Sequence, residues 1–96
     1  MKIAFDVDGT LINSHDEPRH EVIDLFRWFQ KNIVTPLDLI IWSGGGIEYA
    51  QHWANKLGLK ARIAKKFCEE VDIAIDDALD GEVPELNRKA KIIIRV

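Results

Sequence analysis

Cysteine is almost absent from this sequence, because Cys68 is the only one in 96 residues. The chain therefore cannot form an internal disulfide. A cytoplasmic location is the expectation, since proteins without disulfides are typical of reducing compartments. No histidine lies near Cys68 in the sequence, so we expect this thiol to have a packing role and not to act as a nucleophile.

Long hydrophobic runs and a strong charge imbalance are also missing. No stretch approaches the roughly 18–20 consecutive apolar residues that a membrane-spanning helix needs. The chain starts with a strand-like pattern and not with a signal peptide. A net charge of −3 gives no general attraction to nucleic acid or to an anionic membrane. We expect no membrane partner, and nucleic acid is neither indicated nor ruled out.

What is present has the composition of a small globular domain. Hydrophobic residues make up 47% of the chain and charged residues 30%. A length of 96 residues suffices for one domain near the lower end of the usual size range. We therefore expect a single domain over residues 1–96 with a thin hydrophobic core.

Strand-like and helix-like segments alternate along the chain. Strands are predicted over residues 3–5, 37–42, 61–64, 71–75 and 91–96. Helices are predicted from about residue 21 until the chain reaches Pro36, and over 47–57 with Gly58 as the stop; segments 67–70 and 82–88 are typical of short helical turns or turns. This alternation predicts an α/β fold with right-handed crossovers and a parallel sheet.

The most informative segment is residues 2–12, with the sequence KIAFDVDGTLI. Its apolar run predicts a short buried strand, and Asp6 and Asp8 follow it. Because residues two apart in a strand point the same way, both carboxylates are expected at one end of the sheet. Gly9 then allows a sharp turn. Two carboxylates this close repel each other unless a cation or a proton lies between them. The alternative is an ordinary polar turn at a strand end.

Three further polar segments follow predicted strands, and together with DVDGT they resemble the haloacid dehalogenase (HAD) superfamily over essentially the whole chain. DVDGT resembles the first motif of that family, DxDGT, and Ser43 resembles the second. Lys65 or Lys66 fits the lysine of the third motif, and the adjacent acids Asp76 and Asp77 fit the fourth. The resemblance implies a three-layer, Rossmann-like core with five parallel strands in the order 3-2-1-4-5. Polar residues after strands 1, 2 and 4 would then converge on one crevice.

The resemblance also implies a Mg²⁺-dependent phosphatase. Asp6 would attack phosphorus and form an aspartyl-phosphate. Asp8 would protonate the departing oxygen and then deprotonate the attacking water. Ser43 and the amides that begin at Gly44 would bind phosphate oxygens. The lysine would supply positive charge to the phosphate and stabilise Asp6.

The Mg²⁺ ligands that the resemblance implies are the Asp6 side chain, the Asp8 backbone carbonyl and one aspartate of the fourth motif. Alignment on the acidic pair of the family favours Asp77 as the direct ligand, with Asp76 and Asp80 in support. A spacing of four residues would instead pair Asp76 with Asp80, and the sequence leaves this open.

The lysine of the third motif is also open, since Lys60, Arg62, Lys65 and Lys66 lie close together. Lys65 is preferred because it follows the predicted strand most directly, and Lys66 is the alternative. A solvated basic face is the ordinary explanation of such a cluster. The cluster weakly favours a polyanionic ligand.

The chain has no room for the cap domain that many HAD enzymes carry, because each of the two gaps where a cap is inserted is short. An uncapped site suits a bulky or macromolecular phosphate ester, or a small one covered by a neighbouring subunit. The chain ends with the fifth strand, so one sheet face is expected to lack helical cover. This feature and the three tryptophans favour a homo-oligomer.

Other classes of protein give competing interpretations. A catalytically weak phospho-binding or regulatory module on the same fold is the alternative, favoured by the small size and the missing cap. Dehalogenase chemistry does not need the second aspartate of the first motif, so Asp8 favours phosphoryl transfer. A response-regulator receiver is rejected because its acceptor aspartate follows the third strand, where this chain has lysine.

Overall fold

The computed structural model describes residues 1–96, which form five strands and three helices. The strands are β1 (Lys2–Asp6), β2 (Asp38–Ser43), β3 (Arg62–Lys65), β4 (Val71–Asp76) and β5 (Ala90–Arg95), and the helices are α1 (His20–Asn32), α2 (Ile47–Leu57) and α3 (Pro84–Lys89). None of these helices has both the length and the apolar character required to cross a membrane.

All five strands are parallel and their order is β3-β2-β1-β4-β5. The predicted fold class, strand order and absence of a cap domain are therefore confirmed. β1 is the central strand, and its last residue, Asp6, lies opposite Trp42 of β2. The carboxyl ends of all strands meet at one edge of the sheet, which is where open α/β sheets bind ligands.

The two faces of the sheet have different cover. Alternate residues of β1 point to opposite faces, so Phe5 packs with α1 and α2 in the larger core cluster while Ala4 belongs to the smaller one. Phe5 and Phe26 of α1 meet edge to face, with ring centroids 5.2 Å apart. The smaller cluster contains Leu86 of α3 and the fully buried Trp42. The second helical layer is thus a single short helix.

Local structure departs from the sequence prediction after β3 and at the end of α1. Residues 67–70 form no helical turn, because Phe67 has a left-handed φ of +66° and cannot continue a right-handed helix. α2 has the predicted bounds, and Gly58 ends it in the left-handed conformation with φ of +68°. α1 ends at Asn32, before the predicted stop.

Candidate active site

Three strands of the sheet end in a buried polar residue at the same edge. Asp6 ends β1, Ser43 ends β2 and Asp76 ends β4, with exposed fractions of 7%, 2% and 2%. Polar side chains this buried need partners, because removing them from water without hydrogen bonds costs free energy. The polar residues at the ends of β1, β2 and β4 thus converge at one edge of the sheet, as expected.

A single lysine lies between the two buried carboxylates. The Lys66 amine donates to Oδ1 of Asp6 at 3.1 Å and to Oδ2 of Asp76 at 3.0 Å. The second oxygen of Asp76 accepts the backbone N–H of Ala78 at 2.9 Å. The ion pairs are well shielded, since the Lys66 side chain is 14% exposed. Asp76 thus has partners for both oxygens, while Asp6 keeps one oxygen without a protein donor.

The negative charges of Asp6, Asp76 and Asp77 are not balanced by the single positive charge of Lys66. Burial raises the pKa of Asp6 from 3.8 to about 7; Lys66 opposes this effect, and the charges of Asp76 and Asp77 add to it. Burial also acts to lower the pKa of Lys66, but its two carboxylate partners outweigh this and leave that pKa above its ordinary value. The lysine stays positively charged and does not fully compensate the acids. A further cation would therefore be stabilised here.

Lys66, not Lys65, is the lysine that contacts Asp6. The Lys65 side chain is exposed and its amine makes no hydrogen bond or ion pair, so the sequence preference for Lys65 is not supported. β3 ends at Lys65, and Lys66 is the first residue of the turn that follows. Strand alternation therefore does not apply to Lys66, and its contacts with Asp6 and Asp76 depend on the conformation of this turn.

Three carboxylates form the candidate cation site. Oxygen atoms of Asp6, Asp76 and Asp77 all lie within 4.8 Å of one another. Asp77 is exposed and accepts a long hydrogen bond, 3.4 Å, from the buried hydroxyl of Thr10. Gly9 allows this approach, because a Cβ at that position would lie 2.1 Å from Oδ2 of Asp77. An all-oxygen donor set of this kind fits a hard divalent cation such as Mg²⁺ without selecting it over others.

Asp80 lies outside this cluster. Its side chain is 89% exposed and pairs with Arg95 at 3.4 Å. The alternative in which Asp76 pairs with Asp80 through a four-residue spacing is therefore not supported. Asp77 has fewer protein partners than Asp76, so it is the freer of the two adjacent acids.

The carboxylate of Asp8 has a different environment from that of Asp6. β1 ends at Asp6, and a compact turn follows in which Val7 O accepts the backbone N–H groups of Thr10, Leu11 and Ile12. Strand alternation therefore does not extend to Asp8. Its exposed carboxylate accepts a 2.6 Å hydrogen bond from the hydroxyl of Tyr49, which raises the pKa of Tyr49. The two carboxylates of DVDGT share an edge of the sheet but not their partners.

Ser43 and the start of α2 form an anion-binding edge. The Ser43 hydroxyl oxygen accepts the backbone N–H of Gly45 at 3.0 Å, and its own proton has no acceptor within the protein. Gly46 precedes α2 and has no capping side chain, so N–H groups of the first helical turn remain open. A cavity of about 330 Å³, here called the side cavity, adjoins this edge. The side cavity is lined by Ser43, Gly44, Gly46, Ile47, Glu48, Lys65, Lys66 and Phe67.

Sequence reasoning gave no role to three residues that build this site. The only sequence signal for Tyr49 is its position on the first turn of α2, three residues after the glycine run. DVDGT includes Thr10, but the motif does not predict that its hydroxyl donates to Asp77. Nothing in the sequence indicates a role for Phe67, because its left-handed backbone conformation cannot be predicted from a single sequence.

Comparison of the chain with protein-family models, with curated proteins and with solved structures finds no match. The resemblance to the HAD superfamily therefore remains a prediction from the four motifs.

Proposed function

We propose that this protein is a Mg²⁺-dependent phosphoric monoester hydrolase of the HAD type, acting through an aspartyl-phosphate on Asp6. The observation that carries this proposal is the contact between buried Asp6 and the Lys66 amine beside a cluster of three carboxylates. Phosphoryl transfer needs a positioned nucleophile together with positive charge for the transferring oxygens. The edge formed by Asp6, Lys66 and Ser43 offers both.

In the first step, a carboxylate oxygen of Asp6 attacks phosphorus and the bond from phosphorus to the ester oxygen breaks. Asp8, in its protonated form, gives its proton to that leaving oxygen. The products of this step are the free alcohol or phenol, the Asp6 phosphate and an ionised Asp8.

In the second step, Asp8 takes a proton from a water molecule, whose oxygen attacks phosphorus. The bond between phosphorus and Asp6 breaks, which releases inorganic phosphate and restores the carboxylate of Asp6. Asp8 is again protonated, so the cycle closes without another reactant.

The surrounding groups bind the phosphoryl oxygens. Ser43 has a free hydroxyl proton to donate, the start of α2 has open N–H groups, and Lys66 supplies a positive charge. Asp6, the Asp8 backbone carbonyl and Asp77 would hold the divalent cation, with Asp76 in support. When bound, the cation supplies positive charge to the phosphoryl oxygens and relieves the repulsion between the acids.

Phosphate release from a panel of phosphate esters tests the proposal, with Mg²⁺ and with a chelator. We expect Mg²⁺-dependent turnover in the wild type, its loss in Asp6→Asn, and the mass of one phosphoryl group added to wild-type protein quenched during turnover. Asp80→Asn is the matched control, because it removes one acid outside the cluster. Absence of release from every ester, with Mg²⁺ still bound, would contradict the proposal and favour the phospho-binding or regulatory module.

A further inference from the structure

The side cavity extends beyond the groups that the proposed chemistry uses. Ser43 and Lys66 line part of it, and its other walls come from the glycine segment before α2, the start of α2, the end of β3 and Phe67. Its volume of about 330 Å³ is within the range of small-molecule sites. Because Ser43 and Lys66, which are proposed to bind the phosphate, line it, the group attached directly to that phosphate can occupy it.

The two side chains that give the side cavity apolar walls are Ile47 and Phe67. Ile47 is the first residue of α2 and is 53% exposed, although large apolar side chains are usually covered. Phe67 is held in a left-handed conformation that is rare for an aromatic residue, and its ring packs edge to face on Trp42 at 5.7 Å. The ring of Phe67 therefore has a fixed position beside the cavity.

The rest of the lining leaves space for a flat group. Gly44 and Gly46 have no side chains, and a Cβ built on either would meet no atom within 4 Å. Glu48 and Lys65 also line the side cavity, but its exposed walls are mainly apolar. A polyol leaving group placed between Ile47 and Phe67 would leave hydroxyls unpaired, and unpaired polar groups are costly to bury. An aromatic ring would instead gain apolar contact with Ile47 and ring contact with Phe67.

We infer that the side cavity binds the leaving group of the phosphate ester, and that this leaving group is an aromatic ring joined to the phosphate oxygen. The inference rests on the proposed phosphatase function and narrows its substrate class to aryl phosphates. Such a ring occurs in free aryl phosphates and in the phosphotyrosine side chain of a peptide, which share the same chemistry.

The kinetic test compares phenyl phosphate with glycerol 2-phosphate in variants of the side cavity. Phenol is the better leaving group, so the readout is the change between variants in the ratio of the two kcat/KM values. We expect Ile47→Ser to lower the phenyl-to-glycerol ratio about 10-fold, the lower end of what apolar pocket contacts contribute. Phe67→Leu, which keeps apolar bulk but removes the ring, should lower the ratio as well.

Ile92→Ser is the matched control. Ile92 is also an isoleucine, is 56% exposed, and lies on β5 outside the side cavity. We expect this variant to leave the ratio unchanged. An equal change in Ile47→Ser and Ile92→Ser would overturn the inference.

A binding test separates this inference from the proposed phosphatase activity. Phenylphosphonate, which cannot be hydrolysed, should shift the NMR methyl signal of Ile47 more than methylphosphonate at the same concentration. Turnover of esters without this shift, and with an unchanged ratio in Ile47→Ser, would overturn the inference and leave the phosphatase proposal standing. The shift without any turnover would support the ring site and contradict the phosphatase proposal.

Free phosphotyrosine and a short peptide containing it distinguish the two sources of the ring. Faster turnover of the peptide would indicate a protein substrate, and faster turnover of the free ester would indicate a small molecule. Either result supports recognition of the ring. Turnover of glycerol 2-phosphate with neither aryl ester hydrolysed would contradict it.

Discussion

The hydroxyl of Tyr49 donates a 2.6 Å hydrogen bond to Oδ1 of Asp8 and so connects α2 with the turn after β1. The ring of Tyr49 lies close to Gly45, where a Cβ would be 3.0 Å from it. The glycine run after β2 thus leaves room for the ring, and the ring directs the hydroxyl to Asp8. A carboxylate that is otherwise exposed is held in one orientation.

Removing the hydroxyl of Tyr49 should impair turnover more than it impairs stability. Tyr49→Phe keeps the ring but leaves Asp8 free to rotate, so we expect kcat to fall about 10-fold with KM little changed, as for a hydrogen bond to a charged group. The free energy of unfolding should change by less than about 1 kcal/mol, because the bond is exposed. Steady-state kinetics and thermal melting measure the two effects.

A double-mutant cycle shows whether Tyr49 acts through Asp8. In an Asp8→Asn background, Tyr49→Phe should cause little further loss of kcat, because the carboxylate that it positions is already gone. Additive losses would mean that the tyrosine affects turnover by another route.

Divalent cations should stabilise the protein through the three-carboxylate cluster. A ligand that binds only the folded state raises the free energy of unfolding by about 1.4 kcal/mol at ten times its Kd. We therefore expect Mg²⁺ to raise the Tm of the wild type but not of Asp77→Asn. Asp80→Asn should respond as the wild type does, since Asp80 lies outside the cluster. An equal response of the two variants would contradict the assignment of Asp77.

Lys66 and Lys65 provide a matched pair of adjacent lysines. Lys66→Met removes the cation that two buried carboxylates share, and breaking such a buried pair costs about 3–5 kcal/mol. Lys65→Met changes an exposed side chain without partners and should cost less than about 0.5 kcal/mol. Urea unfolding of the two variants measures the difference. Similar losses in both would mean that Lys66 does not balance Asp6 in solution.

The sequence predicts which strand ends meet but not the finer geometry of the site. Apolar runs followed by Asp6, Ser43 and Asp76 predict polar residues at one edge of a parallel sheet. The strand order that makes β1, β2 and β4 neighbours was implied by the resemblance, and the structure has that order. The structure does not support the preference for Lys65 over Lys66, because Lys66, in the turn after β3, is the lysine that contacts Asp6. Motif spacing does not reveal the conformation of that turn.

The orientation of Asp8 illustrates the same limit. The rule that residues two apart point the same way holds only inside a strand, and β1 ends at Asp6. Beyond that point the side chain follows a turn whose shape is set by Gly9 and by the partner Tyr49, which is 41 residues away in the sequence. Contacts at such separations are set by packing and cannot be read from local pattern.

Alanine substitutions at Gly9 and Gly81 separate the effect of crowding Asp77 from the effect of backbone strain. Their φ angles are +78° and +76°, so an alanine at either position carries a similar cost of about 1–3 kcal/mol for the left-handed conformation. A Cβ at Gly9 would also lie 2.1 Å from Oδ2 of Asp77, whereas one at Gly81 would meet no atom within 4 Å. We therefore expect both variants to lower the Tm, but only Gly9→Ala to weaken Mg²⁺ binding and abolish phosphate release. Unimpaired Mg²⁺ binding in Gly9→Ala, measured by calorimetry, would mean that Asp77 does not need this close approach to hold the cation.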